Sequence, residues 1–217
     1  MGRRFNVVTA TLIAITLYAV MSTTAFGLES VWLVGGAKPT EQVKMGFEGK
    51  FTLEDTKGGI FGEAVKVECK EFTMASTAGF VGPGHEGLIE TLLAATCVTV
   101  SGTCPEVVAK DVNFPWLTNI ELIGSKFYDD IVTEASGQTV VGWQVSCGGV
   151  IEDVCTASLL RAELTNEAGG TVDMSFNPAD GNQPAASCTR GGAGTGLWSG
   201  LLVMLTTEGQ ALAVSEG

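Results

Sequence analysis

Hydrophobic and polar residues alternate with a period of two along several short stretches of the chain. The clearest is residues 43–53, where Val, Met, Phe and Leu recur at alternate positions, mostly separated by Lys, Glu and Thr. Successive side chains of a β-strand point to opposite faces, so this pattern predicts a half-buried antiparallel strand. The same alternation recurs at residues 65–70, 141–147 and 172–176.

Two further segments complete the predicted sheet. Leu197 to Leu205 is nearly continuous in apolar residues, which predicts a central strand covered on both faces. Residues 85–95 fit an amphipathic helix or a strand, and we favour the strand. Turn signals rich in Gly, Pro and Asn recur about every ten residues between these runs. The pattern predicts an all-β fold, an antiparallel β-sandwich, with a β-barrel as the alternative.

The N-terminus has the residue order of a secretory signal peptide. Arg3 and Arg4 precede an apolar run from Val7 to Val20, and the small, polar stretch Ser22 to Gly27 follows. The run is about 14 residues long, whereas a membrane-spanning helix needs about 20.

We therefore predict that residues 1–27 are a signal peptide and that residues 28–217 form a single secreted β-rich domain. Ala25 and Gly27 are alternative last residues of the cleaved segment. An N-terminal anchor that is kept is the competing interpretation.

Charge narrows the range of partners. The chain carries 12 basic and 24 acidic side chains, a net charge of −12. Residues 1–27 contain two of the arginines and no acid, so the mature chain has a net charge of −14. Because nucleic-acid affinity rests on neutralising phosphates with Lys and Arg, we expect no nucleic-acid partner. We also expect no membrane partner after signal cleavage, which leaves envelope polysaccharide or another surface protein.

Cysteine usage predicts disulfides rather than a metal site. The six cysteines all follow the predicted signal peptide, and they are Cys69, Cys97, Cys104, Cys147, Cys155 and Cys188. An even number in a secreted chain favours three disulfides, which could connect in 15 ways. Zinc usually requires a Cys-x-x-Cys pair and often histidine, whereas no such pair occurs and His85 is the single histidine.

Spacing suggests one of these connectivities. Cys97 with Cys104, and Cys147 with Cys155, would each close a short hairpin-like loop. Cys69 would then pair with Cys188. A bond between Cys69 and Cys97 would overturn this assignment.

Short motifs spread over most of the mature chain carry a resemblance. They are Val67-Glu68-Cys69-Lys70, Val100 to Pro105, Pro115-Trp116, Gly142 to Cys147, Asp153 to Thr156 and the tail from Ala186 through Val214. On these motifs the chain resembles a group of uncharacterised secreted, cysteine-containing bacterial proteins of unknown function. The resemblance implies a secreted, disulfide-containing β-protein. It supplies no catalytic residue and no cofactor.

Catalytic signals are weak. A Ser-His-Asp arrangement would have to use His85, and no Gly-x-Ser-x-Gly elbow presents a serine. The adjacent acids Asp129-Asp130 and Glu152-Asp153 would point to opposite faces of strands, so they are not catalytic pairs. We therefore predict that the protein is not an enzyme.

Tryptophan supplies the candidate ligand-binding residue, because exposed indoles can stack on sugar rings. Trp143 fits the inward phase of its strand, whereas Trp116 follows Pro115 between two strand-like runs and is the best candidate for exposure. Burial in the core is nonetheless the favoured interpretation for Trp116, since large aromatic side chains supply much of any core.

We predict a secreted, non-catalytic binding or surface-associated protein of unknown ligand. A structural, self-assembling protein that presents an unpaired edge strand is the alternative. A secreted hydrolase ranks third.

Overall fold

Strands dominate the described part of the chain. The computed structural model describes residues 29–59, 62–72, 77–92, 96–102, 104, 106–133, 138–149, 151–180 and 183–217. The predicted signal peptide, residues 1–27, lies outside them. None of the described residues belongs to a helix with the length and apolar character needed to span a bilayer.

Sixteen strands are described. They are β1 Ser30–Val34, β2 Val43–Asp55, β3 Val65–Phe72, β4 Thr77–Val81, β5 Glu86–Leu92, β6 Thr96–Ser101, β7 Val107–Val112, β8 Trp116–Ile123, β9 Lys126–Thr133, β10 Val141–Cys147, β11 Ile151–Ala157, β12 Leu160–Asn166, β13 Val172–Phe176, β14 Ala186–Cys188, β15 Gly192–Thr206 and β16 Leu212–Glu216. One turn of 3-10 helix, Pro178–Asp180, lies between β13 and β14. The alternating runs predicted as strands correspond to β2, β3, β10 and β13, and the segment with two interpretations forms β5.

Eight antiparallel strands close into a barrel, in the order β2, β4, β5, β8, β9, β12, β13 and β15. Pairing of β15 with β2 completes the circle. Inward-facing side chains such as Phe47, Ile120 and Met174 fill the interior. The all-β, antiparallel fold with three disulfides is therefore confirmed, and the closed part has the barrel geometry of the alternative.

A second sheet branches from the same two long strands. Its order is β6, β3, β2, β15, β14, β11, β10 and β7, again antiparallel throughout. One half of β2 and one half of β15 belong to the barrel, and the other halves belong to the second sheet. Unlike the barrel, the second sheet is not closed by strand pairing in the described structure: its two end strands, β6 and β7, come within 8 Å of each other between Cα atoms but are not paired.

Two glycines allow the long strands to change sheets where they cross. Gly49 in β2 lies opposite Leu202, and Gly200 in β15 lies opposite Phe51. Their φ angles of +135° and +147° are rarely adopted by residues with side chains. A Cβ on Gly200 would lie 2.5 Å from the Cα of Phe51, so a side chain would separate the strands.

Strand β15 is central, as its apolar sequence predicts, but it is not covered on both faces. It pairs with β2, β13 and β14. Its burial alternates instead, with Trp198 and Leu202 in the core and Leu201 exposed. The expectation of two covered faces is wrong because one face of each sheet meets solvent.

The short pair β1–β16 packs against β8, β12 and β13 and buries Trp32 and Leu212. Both of its edges are occupied. The amide of Trp32 donates to the carbonyl of Gly84, and the side chain of Asn166 bonds both the amide and the carbonyl of Val214.

The disulfide connectivity predicted from spacing is wrong. The bonds join Cys69 to Cys97, Cys104 to Cys147, and Cys155 to Cys188. Two of them link direct cross-strand neighbours, in β3–β6 and in β11–β14, with Cα atoms 4.1 and 4.0 Å apart.

Register explains why the hairpin assignment fails. In the hairpin of β10 and β11, Cys155 lies opposite Trp143 and Cys147 lies opposite Ile151, so the two cysteines are far apart along the hairpin. All three bonds lie in or beside the second sheet. With sequence separations of 28 to 43 residues, each contributes about 4 kcal/mol in the chain-entropy model.

Replacing Gly200 with alanine should destabilise the fold by about 2 to 4 kcal/mol, because it combines backbone strain with overpacking. Urea unfolding of the oxidised protein measures this change. Gly169→Ala is the matched control, since nothing lies within 4 Å of its Cβ position, and it should change stability by less than about 0.5 kcal/mol. Equal effects would contradict the role given to the strand crossing.

Candidate functional site

The tryptophan predicted to bind ligand is buried. Trp116 opens β8 on its inward face and is 1% exposed. Its indole Nε1 donates to the carbonyl of Val112 at 2.9 Å, and its ring contacts Phe114 and Trp198. The tryptophan that is the best candidate for exposure is therefore in the core, which is the interpretation that the sequence favours.

The other tryptophans are buried as well. Trp198 lies at the centre of an aromatic cluster, with ring centroids 5.2 Å from Trp143 and 5.4 Å from Phe176. Trp143 is in the core, as its phase predicts. With Trp32 also buried, none of the four indoles offers a face to a sugar ring.

His85 lines a surface depression of about 350 Å³, together with Ser30, Glu29 and Glu121. A serine, a histidine and two acids in one depression are the residue types of nucleophilic catalysis. However, no hydrogen bond or ion pair joins Ser30, His85 and Glu121 in the described structure, and Ser30 is itself buried. The depression therefore lacks the nucleophile–base contact that such chemistry uses.

Asp55, the last residue of β2, and Asp153, in β11, form a buried pair of carboxyl groups. Asp55 and Asp153 have side-chain oxygens within 4.8 Å of each other, next to the disulfide of Cys155 and Cys188. Burial, followed by the hydrogen bond with Asp55, raises the pKa of Asp153. Two carboxyl groups this close favour a shared proton over two charges.

Hydrogen-bond donors surround the same pair. Asp55 accepts from the amides of Lys57 and Gly191, at 2.9 and 2.8 Å. Asp153 accepts from the hydroxyl of Thr189 at 2.8 Å and from the amide of Arg190 at 3.0 Å. The sulfur atoms beside them are in a disulfide and cannot act as thiolate ligands. The carboxyl oxygens of Asp55 and Asp153 therefore anchor residues 189–191 through these hydrogen bonds.

The carboxyl pair has no room for a substrate. The adjoining cavity is about 10 Å³, the lower limit for one water molecule. A Cβ on Gly191 would overlap the Asp55 carboxylate, so the chain packs directly against it. We conclude that the role of Asp55 and Asp153 is structural: they connect β2 and β11 of the second sheet to residues 189–191 by hydrogen bonds.

Asp129 is a separate buried acid, inside the barrel. It lies between Ile120 of β8 and Ala162 of β12, and neither carboxyl oxygen has a hydrogen-bond partner among the described residues. Burial raises its pKa to about 8. The neighbouring Asp130 points outward and binds Arg161 through both oxygens, as predicted for adjacent acids on a strand.

The two ends of the second sheet differ in chemistry. The end strand β7 exposes Lys110, and a charged side chain discourages pairing at a sheet edge. The end strand β6, Thr-Cys-Val-Thr-Val-Ser, has no charge, no proline and four β-branched residues. Val98 and Val100 are 41% and 55% exposed on it. We call the outer side of Thr96–Ser101 the β6 edge.

Backbone groups point outward along the β6 edge. Cys97 lies opposite Cys69 with a Cα separation of 4.1 Å, the short spacing of a non-hydrogen-bonded antiparallel pair. The amide and carbonyl of Cys97 therefore point away from β3. Thr99, two residues on and in regular register with Val67, has the same orientation. Val98, opposite Glu68, bonds to β3 instead.

The β6 edge could be recognised in part from sequence. Four of its six residues are β-branched and none is charged, which predicts an exposed or a buried strand equally well. The order of strands in the sheet, and so the absence of a neighbour beyond β6 among the described strands, depends on long-range pairing.

A second exposed apolar surface crosses the outside of the barrel. Phe80, Leu88, Leu117 and Val132 are direct neighbours across β4, β5, β8 and β9. Cross-strand apolar pairs of this kind stabilise the sheet that carries them. Their backbone groups are already paired within the closed barrel, so this surface offers side-chain contacts and no hydrogen-bonding edge.

Asp129→Asn should reduce the fall in stability between pH 4 and pH 8. The folded pKa is raised above the unfolded value near 3.9, so the acid costs nothing below pH 4 and progressively more as the pH rises. At pH 7 the variant should be more stable by about 4 kcal/mol. Urea unfolding at both pH values measures this, and equal pH dependence in the two proteins would contradict the assignment.

Comparison of the chain with protein-family models, with curated proteins and with solved structures finds no match. No relative therefore supplies a function, a ligand or a set of site residues. The function has to be argued from the surfaces described above, and the β6 edge is the one that combines exposed apolar side chains with backbone groups, at Cys97 and Thr99, that point away from β3.

Proposed function

We propose that the protein is an extracellular, non-catalytic binding protein that takes up an extended segment of a partner protein by strand addition at the β6 edge. The observation that carries this proposal is an uncharged end strand with two exposed valines and outward backbone groups at Cys97 and Thr99. Backbone hydrogen bonds would supply affinity, and alternate side chains would supply specificity.

Covalent anchoring supports the proposal. The Cys69–Cys97 disulfide fixes β6 to β3, and the Cys104–Cys147 disulfide holds the chain just after it. An edge strand that is already ordered loses less conformational entropy when a partner binds. Three disulfides also suit an oxidising, extracellular compartment.

The other function classes have less support. Polysaccharide binding through stacked indoles has no exposed tryptophan to use, and hydrolysis by paired carboxyl groups has no access to Asp55 and Asp153. A partner with a flexible, extended segment fits the observed surface better. Another surface protein is therefore the favoured partner.

A display library of random linear peptides, selected on the oxidised mature protein, tests the proposal. We expect enriched peptides that alternate β-branched residues and bind at least tenfold more weakly to Val98→Lys, since a charge at the centre of the edge opposes pairing. Val108→Lys on β7 is the matched control, because Val108 is 50% exposed, and its affinity should not change.

Backbone chemistry separates strand addition from simple apolar contact. In an added strand, every second backbone amide faces β6 and the others face away from it. N-methylation of the amides that face β6 should abolish binding, whereas N-methylation of the others should leave it unchanged. Failure to enrich peptides, or equal binding to Val98→Lys, would reject strand addition at β6.

A further inference from the structure

We infer that a depression on the outer face of the barrel receives an arginine side chain of a partner protein. The depression lies beside the hairpin of β4 and β5 and has a volume of about 170 Å³. We call it the hairpin depression. The inference does not depend on the β6 edge, because none of the residues that line the hairpin depression belongs to β6.

Apolar side chains form one side of the hairpin depression. Phe80, Leu88 and Leu117 line it, and they are direct neighbours across β4, β5 and β8. Glu86, two residues before Leu88 on β5, lines it as well. Gly82 leaves the space open, since within 4 Å a Cβ there would meet the carbonyl oxygen of Glu86, at 3.4 Å.

The lining matches the two parts of an arginine side chain. The aliphatic stem of arginine can pack against Leu88 and Leu117, and its guanidinium can bind the carboxylate of Glu86. A planar guanidinium also packs on aromatic rings such as that of Phe80. Lysine has a compact ammonium and neither a planar fork nor a stacking face, so arginine is the better fit.

Charge favours a basic partner at this position. Glu86 is exposed and forms no ion pair with any residue that the structure describes. Lys44 lies opposite Phe80, on the side of that strand away from Leu88, and does not line the hairpin depression. The chain has 24 acidic and 12 basic side chains, so it attracts basic proteins and repels a second copy of itself.

Size favours one side chain of a protein over a complete small molecule. Pockets for small molecules usually have volumes of about 300 to 1,000 Å³, well above that of the hairpin depression. The apolar row continues from Leu117 to Val132, and both are 38% exposed. Residues that flank the arginine in a partner therefore have an apolar surface to contact.

Titration with Nα-acetyl-arginine N-methylamide, an arginine with both backbone ends capped, tests the inference. We expect saturable shifts of the Gly82 and Gly87 amide signals in NMR spectra of the oxidised mature protein, with a Kd on the order of 1 mM. The citrulline analogue has the same shape without the charge and should bind at least about fivefold more weakly. Equal binding of the two compounds, or no saturable shift up to about 20 mM, would overturn the inference.

Two matched pairs of variants locate the binding. Glu86→Gln should weaken binding of the arginine compound at least about fivefold. Glu90→Gln removes the same charge from an exposed position of the same strand outside the hairpin depression, and it should leave the affinity unchanged. Leu117→Ala should weaken binding and Val132→Ala should not, although the two residues are equally exposed. Equal effects within either pair show that the arginine binds elsewhere and would reject the site.

A capped peptide, acetyl-Leu-Arg-Leu-amide, distinguishes a partner protein from a free guanidinium compound. It should bind at least about threefold more tightly than the single arginine, because its leucines can bury apolar area on the row that ends at Val132. An affinity no higher than that of the single arginine would reject a protein partner. These measurements do not involve β6, so this inference and the proposed strand addition can each fail alone.

Discussion

The pairing of β2 with β15 is the interaction on which the rest of the structure depends. It extends over eleven residue pairs, closes the barrel with one half of each strand and starts the second sheet with the other. Gly49 and Gly200 make this possible, because side chains at the crossing would force the strands apart. The consequence is a closed barrel, joined to a second sheet whose end strands β6 and β7 approach each other without pairing in the described structure.

The three disulfides are concentrated in the second sheet, which is not closed by strand pairing in the described structure. The eight strands of the barrel bond to one another around the full circle, whereas β6 and β7 each pair on one side in the described structure. All three disulfides lie in or beside the second sheet. Asp55 and Asp153 also accept hydrogen bonds from the backbone amides of Gly191 and Arg190 in the turn between β14 and β15. An ordered end strand, held on its inner side to β3 by the Cys69–Cys97 disulfide, is therefore a stable feature of this fold.

Local pattern predicts much of this architecture and long-range pairing decides the remainder. Alternation identified β2, β3, β10 and β13, and strand phase correctly separated Asp129 from Asp130. The cysteine pairs were missed because partners such as Cys69 and Cys97 are neighbours across strands rather than along a hairpin. Burial of Trp116 follows from the inward phase of β8, which its sequence does not reveal, and the exposure of β6 follows from strand order.

Hydrogen exchange of individual amides in β6, measured in the dilute protein, tests the central claim most directly. The account predicts that the amide of Val98, bonded to β3, exchanges at least about 100-fold more slowly than those of Cys97 and Thr99, which face the β6 edge. Equal protection of all three amides would show that the edge is already occupied within one copy, and would contradict the account.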